Sequence, residues 1–140
     1  MDAQKIQLVR DSFPQVAAIA PRAARLFYGR LFDLDPSVER LFNPSRMRSQ
    51  GTKLMTALGF VVAHLDRPER LLPVARDMAV RHVGFGVRRQ HYIPVGEALL
   101  WTLEEGLGPA FTPELRAAWA EAYVTLATIM TEAAYLEMAA

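Results

Sequence analysis

Apolar side chains recur at three- and four-residue intervals along nearly the whole chain, and no stretch alternates apolar and polar residues long enough to suggest a strand. The pattern predicts seven helices and no sheet. A first helix over 3–18 turns Ile6, Val9, Phe13 and Val16 inward, with Pro14 expected to bend or break it because proline has no N–H to donate. A second opens near Pro21 and reaches about Phe32, and Asp35-Pro36-Ser37 starts a short third that ends near Phe42. Asn43-Pro44-Ser45 punctuates before a long fourth helix over 46–65, and 66–70 reads as a connector. Pro73 suits the opening turn of a fifth helix that runs to about His82 and is stopped by Gly84 and Gly86. The sixth covers 92–107. The seventh has the clearest start, with Thr112 as cap, Pro113 in the first helical position and Glu114 facing the dipole. Its buried face is predicted to carry Leu115, Trp119, Ala122, Leu126, Met130 and Ala133.

Three of these apolar stripes each contain one polar group. Tyr28 lies in the stripe of Ala24, Phe27 and Leu31, Gln50 heads that of Leu54, Ala57, Leu58, Val61 and Leu65, and His82 closes that of Leu71, Ala75 and Met78. Taken singly, each has an ordinary explanation: a core histidine or tyrosine bonded to a carbonyl, or a surface amide at a helix start. Burying all three without partners would cost on the order of 1–3 kcal/mol each, so a shared polar or metal-bearing ligand becomes a competitive reading.

Composition narrows the classes. At 140 residues, one domain over 1–140 is expected, able to bury roughly two thirds of its unfolded surface. Hydrophobic residues make up 51% and charged residues 22%, which excludes disordered and collagen-like chains. The net charge of +1, without a long basic run, makes nucleic acid a poor partner. Arginines 67, 70, 76, 81, 88 and 89 nevertheless crowd the middle, which reads either as solvated surface or as the neighbourhood of an anionic ligand. The opening residues have no apolar signal region, and the segment 54–65 is too short to span a bilayer, so a cytoplasmic protein without membrane insertion is expected. The absence of cysteine agrees with that compartment and removes disulfides, thiolate metal sites and cysteine nucleophiles.

Several chemistries fail on spacing. Gly84-Phe85-Gly86 lacks the third glycine and preceding strand of a dinucleotide loop. His64, His82 and His91 lack the spacing of a zinc hydrolase, and the serines sit in no nucleophile turn. One imidazole is too few ligands for a bare zinc ion. It is enough for haem iron, because the porphyrin supplies four nitrogens and the protein one axial histidine.

Five segments, 26–32, Asp35-Pro36 with Leu41-Phe42, 49–54, Arg81-His82 with Gly86-Val87, and 91–96, together resemble bacterial single-domain globins. The chain is most similar to the haem domains of flavohaemoglobins and to the Vitreoscilla haemoglobin type. That resemblance implies an all-α, three-over-three helical sandwich around haem b. His82 would be the proximal iron ligand and Phe42 the aromatic that wedges the haem. Leu54, Val87, Tyr92, Val95 and Met130 would line the haem faces, and Lys53 and Arg81 would meet the propionates. Tyr28 and Gln50 would lie over the sixth iron position and donate hydrogen bonds to bound ligand. One departure stands out: aligning the last helix on Tyr123 places Ala134 where the family has a glutamate that helps polarise the proximal histidine, with Glu132 and Glu137 out of register.

These readings imply a haem protein that binds O₂ tightly and reversibly, for storage or delivery, with NO and CO as further ligands. The enzyme alternative is an NO dioxygenase fed by an external reductase. A haem-based sensor is a weaker alternative, and a globin that has lost haem is opposed by the presence of His82 and Phe42. Sequence leaves the choice between monomer and homodimer open.

Overall fold

The computed structural model describes residues 1–136 and, among them, contains helices and turns but no strand. The α-helices are α1 (Ala3–Ala18), α2 (Ala20–Leu34), α3 (Pro36–Glu39), α4 (Met47–Ala63), α5 (Pro68–Gly84), α6 (Tyr92–Leu107) and α7 (Pro113–Thr131). Short 3-10 turns precede α4 and α6 and follow α6, and a π-turn over Glu132–Leu136 extends α7.

Most helix starts follow local chemistry. Asp2 accepts the Lys5 N–H at 2.8 Å and Thr112 accepts that of Leu115 at 3.2 Å, each satisfying a first-turn donor that the helix itself cannot. Proline opens α2, α3, α5 and α7, where its missing N–H costs nothing. Two prolines behave otherwise. Pro14 lies inside α1 without ending it. Pro73 does not open α5, because Pro68 does so five residues earlier and takes in part of the expected connector, leaving Pro73 in the helix body. The third helix is also shorter than expected and stops at Glu39.

One core lies where α1 crosses α6 and α7. Trp119 is 1% exposed there, beside Val9, Leu103 and Ala118. Its indole N–H donates to the buried Ser12 hydroxyl at 2.9 Å, which in turn donates to the Val9 carbonyl at 3.0 Å, so no polar atom in this chain of bonds is stranded. Arg10 reaches across to the end of α4, donating to the Val62 and Ala63 carbonyls and pairing with Asp66 at 2.5 Å. A cation there meets the carbonyls that a helix end leaves unbonded.

A second core joins α2, α3 and α6 around Phe27, Leu31, Val38 and Ala98. Here α4 also packs on α2, and Gly51 sets how closely: a Cβ at that position would stand 2.9 Å from the Ala24 Cβ. Because both atoms are fixed to backbone, Gly51→Ala forces the helices apart. We expect a net loss of about 1 kcal/mol, the overpacking cost of about 1–3 kcal/mol less the gain in helix propensity, read as a melting point lower by several degrees. An unchanged melting point would show the contact to be slack.

A third core is made by α5, α7 and the π-turn, with Ala75 and Ala79 fully buried against Met130 and Ala134. At the end of the last helix Ala134, four residues after the buried Met130, rather than Ala133 takes the buried position.

Candidate functional site

The residues expected to form the site fall in the second core, built from α2, α3 and α6, and around the third, built from α5, α7 and the π-turn. On α2, Tyr28 is 7% exposed, its ring edge-on to Phe27 at 5.0 Å and to Phe42 at 5.2 Å. Phe42 also packs on Phe32 at 5.4 Å, so the aromatic expected to wedge a planar ligand is itself held by two rings. Leu54 from α4 and Val95 from α6 pack against the same group. The close α2–α4 crossing at Gly51 brings the neighbouring Gln50 side chain to the Tyr28 hydroxyl. Burial raises the Tyr28 pKa and the Gln50 contact lowers it by less, so the phenol stays protonated and remains a hydrogen-bond donor.

His82 lies in the last turns of α5 and is half-buried. Its Nδ1 is 2.6 Å from the Met78 carbonyl, which can only accept, so the proton resides on Nδ1 and the Nε2 lone pair is free. The other two histidines are committed elsewhere. His64 stacks on Phe60 at 4.1 Å with Nδ1 on the Phe60 carbonyl. His91 is 9% exposed, and its Nδ1 accepts the Arg88 N–H at 2.9 Å and caps the turn into α6.

Tyr92 and Met130 belong to the third core, on the His82 side. The Tyr92 hydroxyl is buried without a hydrogen-bond partner, although Tyr123 donates to the Tyr92 carbonyl at 2.6 Å. A stranded buried phenol costs on the order of 1–3 kcal/mol, which marks a place where a polar group completes the site. Val87, just beyond α5, is half-buried and its carbonyl accepts the Tyr135 hydroxyl at 2.7 Å. Lys53 is exposed, and Arg81 is exposed and paired with Asp77 at 2.9 Å. Sequence patterning passed over Tyr135 altogether, because the π-turn places it off the helical stripe.

All four tyrosines titrate above their ordinary range, chiefly because burial disfavours the phenolate. Tyr123 is raised furthest, chiefly by burial, and Tyr92 is pushed up to about 12 by burial and then by Tyr135. Unfolded tyrosine ionises near pH 10, so above that pH the unfolded chain binds fewer protons than the folded one. The stability is therefore present in full below pH 10 and falls as pH rises toward 12, by on the order of 2 kcal/mol for Tyr92. Urea midpoints at pH 8 and pH 11.5, with phenolate absorbance, check this; full phenolate absorbance in the folded protein near pH 10 would contradict it.

Comparison with known proteins now bears on this arrangement. The globin family profile matches residues 25–130. The chain belongs to the globin family. This globin is 36% identical over 131 residues to a flavohaemoprotein of Rhodopirellula baltica and 38% identical over 125 residues to one of Bordetella parapertussis. The two matches cover 92% and 88% of this chain but only 32% and 31% of those proteins, so the chain spans about a third of their length. Among solved structures it superposes on a bacterial globin from Campylobacter jejuni with a TM-score of 0.88 at 23% identity, covering 99% of this chain and all of the other. It also superposes on an engineered carbene transferase from Rhodothermus marinus, a candidate nitric oxide dioxygenase, with a TM-score of 0.88 at 32% identity, covering 99% of this chain and 96% of the other. The all-α globin fold expected from the sequence is thus present.

The cofactor this family implies is haem b, and the residues of this globin fit it. Among the described residues no group of three or more His, Asp or Glu side chains could hold a bare metal ion. A cofactor that brings four nitrogens needs only the one imidazole with a free Nε2. The unpartnered Tyr92 hydroxyl and the aromatic shelf at Phe42 suit a large, mostly apolar ring with polar edges. Among the described residues no helix is long and apolar enough to cross a membrane.

Proposed function

We propose that this globin holds haem b on His82 and binds O₂ tightly and reversibly, with Tyr28 and Gln50 retaining the ligand. The observation that carries this reading is the buried Tyr28 phenol, kept protonated and set beside the Gln50 amide. When bound, haem supplies an iron with one open position for a diatomic ligand such as O₂, NO or CO. His82 holds the iron through Nε2, Phe42, Leu54, Val87, Tyr92, Val95 and Met130 enclose the ring, and Lys53 and Arg81 serve its propionates. Tyr28 and Gln50 would donate hydrogen bonds to a bound diatomic ligand, and charge-assisted bonds of this kind contribute about 1.5–3 kcal/mol each.

The His82 side of the site favours retention over oxidative turnover. Its Nδ1–H donates to a neutral carbonyl at 2.6 Å, and the position that the flavohaemoglobin resemblance assigns to a glutamate is Ala134, 1% exposed against Ala75 and Ala79. A carboxylate partner would raise the electron donation of the imidazole, and a backbone carbonyl raises it less. The second reading is an NO dioxygenase, supported by the likeness to the Rhodothermus marinus protein. It would draw electrons from a reductase.

Absorption spectra in the ferric, ferrous, CO and air-equilibrated states test the first reading. A Soret band and a persistent oxygenated spectrum are expected, and a colourless protein would end it. Steady NO consumption in the presence of a reductase would select the second reading; a single stoichiometric reaction would select the first.

A further inference from the structure

The turn that follows His82 is closed by backbone bonds from Phe85, Gly86 and Val87 to the end of α5, but few of its own side chains pack to hold it in place. Phe85 is 72% exposed, Gly84 and Gly86 have no side chain, and Gly86 adopts φ +95°, a conformation open to glycine and strained for other residues. Within the turn, the Val87 N–H donates to the His82 carbonyl at 3.0 Å. The Val87 carbonyl accepts the Tyr135 hydroxyl at 2.7 Å. One residue therefore connects the backbone of His82 to a phenol on another helix.

Tyr135 reaches Val87 because of the π-turn Glu132–Leu136. A turn with i→i+5 bonding inserts an extra residue and re-aims the side chains after it, and such turns are frequent at functional sites. Here Ala134 points into the wall of alanines and Tyr135 swings out, its ring edge-on to Tyr92 at 6.4 Å and 86°. The same phenol thus touches both Tyr92 and the turn after His82.

We infer that Tyr135 is a positioning residue for His82: its hydroxyl anchors the turn after α5 to the last helix and so fixes the imidazole relative to the haem. The inference rests on the assignment of His82 as haem ligand. It gives the histidine a support acting through its own backbone, on the side of the site where the alanine wall leaves no carboxylate.

The test is Tyr135→Phe in the haem-loaded full chain, which keeps the ring against Tyr92 and removes only the hydroxyl. Haem transfer to excess apomyoglobin should be about five-fold faster, the effect of one lost hydrogen bond. The iron–histidine stretching band of the ferrous form should shift or broaden, which general destabilisation does not cause. Ser12→Ala serves as control: it removes the acceptor for Trp119 and should lower the melting point while leaving haem transfer and the band unchanged. Transfer rate and band equal to wild type in Tyr135→Phe would overturn the inference. If that variant does not fold, hydrogen exchange on the wild-type holoprotein decides. The Tyr135 hydroxyl proton should exchange at least about ten-fold slower than that of a freely exposed tyrosine, and unprotected exchange would overturn the inference. A wild-type protein without a Soret band would instead remove the haem assignment itself.

Discussion

Replacing His82 with alanine is expected to abolish stable haem binding, seen as loss of the Soret band and a haem-to-protein ratio near zero after gel filtration. His82 has its Nδ1 tied to a backbone carbonyl of its own helix, in the last turns of α5. His64 makes the same kind of bond but sits at the end of α4, stacked on Phe60, and His91 uses Nδ1 to accept the Arg88 N–H, so each is held in another element by local contacts. Losing an outer partner of a metal ligand typically costs roughly 10- to 100-fold in affinity, and loss of the ligand itself should exceed that. Helix content should persist, because the largest buried side chain, Trp119, packs in a different core. Added imidazole should restore part of the spectrum by filling the vacated position. A His82→Ala protein with the wild-type spectrum would sink the assignment.

The second large effect is expected at Tyr28. Tyr28→Phe removes a donor without removing the ring, whose contacts to Phe27 and Phe42 at 5.0 and 5.2 Å are made by carbon. Stability should change by less than about 1 kcal/mol, since the hydroxyl's one side-chain partner is Gln50, which lies only partly out of water. Oxygen release, in contrast, should accelerate by roughly 10- to 100-fold, the equivalent of one charge-assisted hydrogen bond. Stopped-flow release of O₂ checks the rate and thermal melting checks the fold. A variant that releases O₂ at the wild-type rate would show that the phenol does not touch the ligand.

These two residues were legible in the sequence for a common reason. Each is a polar side chain in an otherwise apolar helical stripe, and burying it is costly unless its polar atoms find partners, which the apolar side chains of the stripe do not supply. Gln50 was legible in the same way, and its contact with Tyr28 follows from the neighbouring glycine, which lets α4 approach α2 to within a methyl's width of Ala24. The structural role of His91 rests on a turn, where the ring nitrogen caps the Arg88 N–H, and such turns leave no periodic trace. Pro73 misplaced the start of α5 because proline is tolerated inside a helix when packing holds the rest, as Leu71 and Ala75, 3% and 0% exposed, do here.

What the sequence by itself determined is the set of helices, their caps and their inward faces, because these follow from interactions within four residues: a side-chain oxygen on a first-turn N–H, a proline in the first turn, an apolar contact every three or four positions. What only the tertiary structure decided lies at distances the chain does not encode locally. Ala134 packs with Ala75 and Ala79, the Tyr135 hydroxyl in the π-turn meets the Val87 carbonyl, and Tyr92 is left with a buried hydroxyl and no partner. Each of these depends on how three helices meet, and side chains far apart in the chain acquire a defined distance only when their helices pack.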